Sequence, residues 1–225
     1  MASRKPAGEP FFLVFSLGLL MLALIGLGGR AALDYTNASP PPLIVAAHAV
    51  CMLAWYTLVP FQASLIRGHS MIRHKRFGVL SLAVAGALIY TGAYAAGRHF
   101  VIHNDPYAVL ASAQTVFSFA ILYVLGFVGR RVPRAHKRFM IYASLAVLPP
   151  ALIGLLAAFG LSGLFVLPLW LVLILVPVAH DWRKHRTVYI PTAISAIFLI
   201  TGMIAVVVVG LNPAWADYLT SIRAR

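Results

Sequence analysis

The sequence predicts an all-α, polytopic membrane domain of seven transmembrane helices. Three observations carry that expectation. Hydrophobic residues make up 61% of the 225-residue chain and charged residues only 10%, whereas a soluble domain carries about 25% charged residues. The apolar residues lie in seven long stretches, and a helix needs about 20 such residues to cross the hydrocarbon of a bilayer. Finally, the Lys and Arg residues fall between the stretches and sort strongly by side.

The seven stretches are residues 11–29, 43–66, 77–96, 107–128, 139–159, 161–182 and 188–210. The first follows a basic start and precedes the small-residue segment Arg30-Ala31-Ala32, so cleavage as a signal peptide is an alternative. Its length exceeds the 7–15 residues of a usual signal core, which favours retention. The fifth and sixth are separated only by Gly160-Leu161-Ser162-Gly163, which calls for a tight helical hairpin. Pro60, Pro149-Pro150, Pro168 and Pro177 fall within stretches and predict kinks, since proline removes a backbone donor. The seven stretches are read as containing no Asp or Glu, which counts against proton coupling. Residues 211–225 do not span; Trp215, Tyr218, Leu219 and Ile222 share one helical face and predict a short interfacial helix.

Net charge is +13. One side of the seven-span arrangement holds Arg4, Lys5, Arg67, Arg73, Lys75, Arg76, Arg130, Arg131, Arg134, Lys137, Arg138, Arg183, Lys184 and Arg186; the other holds Arg30, Arg98, Arg223 and Arg225. The positive-inside rule places the first set, with the N-terminus, in the cytoplasm and the C-terminus outside. The chain is therefore expected in the cytoplasmic (inner) membrane, its basic loops against anionic headgroups. Nucleic-acid binding is not expected from charge placed this way. The single cysteine, Cys51, excludes an intrachain disulfide and reads as a small buried apolar residue.

His74-Lys75-Arg76-Phe77-Gly78 recurs as His136-Lys137-Arg138-Phe139-Met140, and Ser81-Leu82-Ala83-Val84 as Ser144-Leu145-Ala146-Val147. This suggests a parallel helix-pair repeat, residues 43–96 and 107–159, with convergence of basic span starts as the alternative.

Polar side chains within spans are costly and so point to function. His48, Trp55 and Gln62 are spaced seven apart, near one face of the second span, and with Gln114 of the fourth they are candidate pocket-lining residues. Neutral imidazole ligates haem iron or zinc. His74 and His136 open parallel spans at equal depth, as the two ligands of a b-type haem must. An outer set of His48, His99 and His103, with Asp34 or Asp105, is the alternative metal site, because an i,i+4 histidine pair has ligand spacing.

The block from His48 through Trp55, Gln62 and Arg67 to His74-Lys75-Arg76-Phe77-Gly78 and Ala135-His136-Lys137-Arg138-Phe139-Met140 resembles a broad group of uncharacterised bacterial membrane proteins. That group carries H-[RK]-x-x-G and later H-[RK]-R-x-M motifs; the resemblance implies a multi-span fold and no activity. A looser resemblance is to cytochrome b561-type proteins, with His48, Trp55 and Arg67 standing as their histidine-led span does. Those bind two b haems through histidines on four consecutive spans, which implies His48, His74 and His136 as ligand candidates. The fourth span here has no histidine, so one haem is the expectation. Three functions remain open: a haem-binding redox protein, a small-molecule or lipid transporter or carrier, and a non-catalytic assembly or scaffold protein.

Overall fold

The computed structural model describes residues 9–37, 41–103 and 105–223, without the side chains of residues 99, 100, 102, 103 and 223. It contains nine α-helices among the described residues and no strand. They are α1 (Pro10–Thr36), α2 (Leu43–Arg67), α3 (Met71–His103), α4 (Pro106–Val128), α5 (Pro133–Ala146), α6 (Pro149–Ala158), α7 (Val166–His185), α8 (Ile190–Gly210) and α9 (Pro213–Arg223). Short 3₁₀ turns at Gly129–Arg131 and Gly163–Phe165 precede α5 and α7. Six helical segments are long and apolar enough to cross a membrane, and the bent pair α5–α6 makes a seventh if counted as one span. The chain is thus a multi-pass α-helical membrane protein, and the bulky apolar residues on its outer faces, such as Val14, Val124 and Ile197, face lipid in such an assembly.

Proline marks helix starts more often than kinks. It stands in the first turn of α1, α4, α5, α6, α8 and α9, where the missing N–H is an orphan anyway. Pro168 lies in the first turn of α7, while Pro60 and Pro177 sit inside α2 and α7. Only Pro149-Pro150 breaks a span. The expected single helix over residues 139–159 is two helices bent by 48°, because neither proline can donate to the carbonyls of Leu145 and Ala146. Two aromatic donors meet the backbone at the bend: Trp170 Nε1 gives a hydrogen bond to Leu145 O, one of the freed carbonyls, at 2.7 Å, and the Tyr56 hydroxyl one to Ser144 O, a residue earlier, at 2.8 Å.

α5 is the pillar of the bundle. It touches α1, α2, α4, α7 and α8, and every residue from Ile141 to Leu148 is buried. α1 packs against α6 backbone to backbone: a Cβ on Gly26 would collide with Ala151 O, and one on Gly154 with Gly26 O. Small residues permit this approach, and in lipid such packing must supply what the hydrophobic effect supplies in water. The α6–α7 hairpin turns at Gly160, whose φ of +66° suits glycine. α9 folds back on the bundle, its Trp215 Nε1 donating to Pro106 O at 2.9 Å.

Two further expectations change. α3 begins at Met71 and runs to His103, so His74, Lys75 and Arg76 are helical rather than loop residues, as is the His99–His103 segment. Residue 181 puts an acid, Asp181, within the last turn of α7, inside a stretch read as free of acids, and it is 1% exposed.

Candidate functional site

The starts of α1, α3, α5 and α8 and the ends of α2, α4 and α7 gather at the basic end of the bundle. There the His74 and His136 rings come together, 6.1 Å between centroids and nearly perpendicular at 85°. Both are partly buried. His136 Nδ1 is 2.8 Å from Gly126 O. A carbonyl only accepts, so Nδ1 carries the proton and Nε2 keeps its lone pair, the state of a metal-ligating histidine with a backbone partner behind it. His74 Nδ1 is buried without a hydrogen-bond partner, and so are both polar atoms of the Gln62 side chain on α2. Buried polar atoms are rarely left unpaired, and these sit on residues that begin or border the same corner. Gly78, next in α3, leaves the Gln62 amide room: a Cβ there would sit 4.0 Å from its nitrogen.

His48 lies elsewhere. α2 carries it fourteen residues from Gln62, ~21 Å along the axis. Its Nδ1 is 3.0 Å from Thr91 Oγ1, which itself donates to Ala87 O at 2.7 Å. That leaves Nδ1 of His48 to donate, and the imidazole packs on Gly92, where a Cβ would stand 2.9 Å from its Cε1. The alternative outer set falls partly outside the described residues, because the side chains of His99 and His103 are among those not described. The acids considered for it have structural partners: Asp34 pairs with Arg30 at 2.9 Å, and Asp105 caps α4 by accepting from Ala108 N at 3.0 Å.

Trp55 and Gln114 pack between helices. Trp55 is 1% exposed, donates to Ser144 Oγ at 3.1 Å and meets Phe119 edge-on. Gln114 donates to Ser118 Oγ at 2.9 Å and lies on Gly202 of α8, where a Cβ would clash with its amide. The serines of the recurring Ser-Leu-Ala-Val segment bond crosswise: Ser144 on α5 to Trp55 on α2, and Ser81 on α3 to Tyr123 on α4 at 2.9 Å.

The sequence reading missed a buried, heavily hydrogen-bonded ion pair. Arg138, assigned to a basic loop, is 1% exposed. Its Nε donates to Asp181 Oδ2 at 2.9 Å, its Nη2 to Asp181 Oδ1 and its Nη1 to Arg134 O at 2.9 Å. Thr192 Oγ1 of α8 donates to the same carboxylate at 2.6 Å, and Arg138 lies 4.1 Å over the Tyr189 ring. The pair ties α5, α7 and α8 together. A second cluster surrounds Glu9, which receives Lys137 Nζ at 2.6 Å and Lys184 Nζ at 3.0 Å, with His185 Nε2 at 3.2 Å. Burial raises the Glu9 pKa, but the hydrogen bonds and charges of the two lysines outweigh it and hold the carboxyl at about 2.

No known family matches the chain, no curated protein matches its sequence and no solved structure matches its fold.

Proposed function

We propose that the protein is a seven-span redox protein of the cytoplasmic membrane, holding one b-type haem between His74 and His136 at the cytoplasmic end. The observation that carries this reading is the imidazole pair: two rings from separate helices, 6.1 Å apart and near perpendicular. His74 and His136 would hold the haem iron, neutral imidazole being one of its ordinary ligands. The residues fit the group in two further respects. His136 presents Nε2 because Gly126 O holds its Nδ1, and the unpaired atoms of Gln62 and His74 border the place where a cofactor with polar edges would sit. When bound, haem supplies one-electron transfer. The protein's part is to fix the two rings, to bury them among α2, α3, α4 and α5, and to set the ligand basicity through the Gly126 carbonyl.

The orientation follows from the charge asymmetry: fourteen Lys and Arg on the His74–His136 side against four on the other, with α5–α6 counted as one bent span. Under the positive-inside rule this asymmetry supports an N-terminus in the cytoplasm and a C-terminus outside.

The test is the absorbance spectrum of protein purified from cells supplied with haem. A Soret band is expected for the unaltered protein and for His48→Ala, and none for His74→Ala or His136→Ala. A thermal melt of each variant in detergent shows that it is folded. A haem-free unaltered protein, or a band that survives replacing both His74 and His136, would falsify the reading.

A further inference from the structure

Beside the Glu9 cluster, α1 and α7 enclose a groove of about 520 Å³ lined by Phe11, Val176, Ala179, His180, Arg183 and Lys184. The α7 residues recur at i, i+3, i+4, i+7 and i+8, so they form one face of that helix. The face changes character along its length. Val176, Ala179 and Phe11 make an apolar floor within the span; His180, Arg183 and Lys184 make a basic rim where α7 ends at His185. The His180 ring stacks on Phe11, 3.7 Å between centroids and 7° from parallel, and its Nε2 is buried without a hydrogen-bond partner.

The charges decide what sort of ligand fits. Glu9, His180 and His185 offer ligand atoms within 4.8 Å of one another, the spacing of a cation site. But the two Glu9 oxygens are each bonded to a lysine, Oε2 to Lys137 and Oε1 to Lys184. A divalent cation would have to displace two ammonium groups from one carboxylate and then stand among Lys137, Lys184 and Arg183. One acid cannot neutralise those three cations, so the groove keeps a positive surplus. A basic rim above an apolar floor, at the depth where a span leaves the hydrocarbon, matches an amphiphile with an anionic head and an acyl tail.

We infer that this groove is a binding site for an anionic phospholipid of the leaflet next to the basic loops, its phosphate held by Arg183, Lys184 and His180 and its chain lying along Val176, Ala179 and Phe11. The site is separate from the His74–His136 corner and does not depend on haem. Native mass spectrometry of the full chain, titrated with phosphatidylglycerol, phosphatidylcholine, inorganic phosphate or Zn²⁺, tests it. Phosphatidylglycerol is expected to bind at least about tenfold more tightly than phosphatidylcholine. Arg183→Gln should weaken it about fivefold, as expected for one charge at an anionic surface. Ala179→Phe, which fills the groove and removes no charge, should weaken it as well, and Lys75→Gln in the first turns of α3 should leave it unchanged. Equal binding of the two lipids overturns the inference, as does an equal loss in Lys75→Gln and Arg183→Gln. Displacement of the lipid by millimolar phosphate would make this a free-anion site, and Zn²⁺ uptake abolished by His180→Ala a cation site; either result also overturns it.

Discussion

The tetrapeptide His-Lys-Arg-Phe begins both α3 and α5, and its arginine meets opposite surroundings in the two places. Arg76 is exposed on α3, which has α2 on one side and α4 on the other. Arg138 is buried on α5, with α1, α7 and α8 closing over it and Asp181 supplying the counter-charge. Identical local sequence therefore fixes the helix start but not the environment. What distinguishes the copies is the set of helices added around the second one, and the acid, Asp181, that α7 brings. In water-poor surroundings a charge is tolerable only when paired and hydrogen-bonded, and Arg138 meets both conditions.

The sharpest way to break this contrast is to remove the counter-charge. Asp181→Ala leaves Arg138 buried and uncompensated and should cost about 3–5 kcal/mol, read as a large fall in melting temperature in detergent. Replacing both partners, Arg138→Met with Asp181→Leu, should restore most of that loss, since well-packed apolar residues often substitute for a buried pair. A mild single variant, or a double variant worse than the single, would show that the pair is not what holds α5 to α7.

Next in size is the crosswise serine bonding. Ser144→Ala leaves the Trp55 indole N–H, in full burial, without its acceptor and should cost about 1–3 kcal/mol. Ser81→Ala should cost less, because Ser81 and Tyr123 are 9% and 5% exposed where Ser144 and Trp55 are each 1% exposed. Equal losses would mean that the two copies are more alike than their burial indicates.

A smaller effect comes from Glu9. Its folded pKa, about 2, lies below the ordinary 4.5, so its stabilising contribution is complete above 4.5 and is lost as pH falls toward 2. Between those values the unaltered protein should lose more melting temperature than Glu9→Gln does. The smallest effect is expected from Arg76→Ala, within about 0.5 kcal/mol as for an exposed substitution. A fall as large as that of Asp181→Ala would erase the distinction between the two tetrapeptides.

Hydropathy made the long helices legible, because a span in lipid has to be apolar along most of its length. The meeting of His74 with His136 was legible too: both follow the same motif and start helices from the same side. The Arg138–Asp181 pair was not. Arg138 stood among loop cations, and Asp181, inside the stretch 161–182, was passed over when the stretches were read as free of acids. Their bond joins positions 43 apart, and no periodicity encodes such a contact. An isolated acid in the last turn of one span, with an arginine two turns into another, was the available signal. Pro149-Pro150 announced a kink, but not that Trp170 would answer a carbonyl it freed, with Tyr56 on the carbonyl before it.

Those two aromatic donors bear on how the chain enters the membrane. A backbone carbonyl left unpaired in hydrocarbon costs several kcal/mol, so α5 and α6 are poor candidates for settling into lipid as they emerge. Tyr56 is already in place on α2, but Trp170 belongs to α7, synthesised after the break. The corner at Pro149 is completed only when the Gly160 turn has brought α7 back alongside α6. The bent segment is accordingly expected to enter together with α7, as one late unit assembled against α1 and α2.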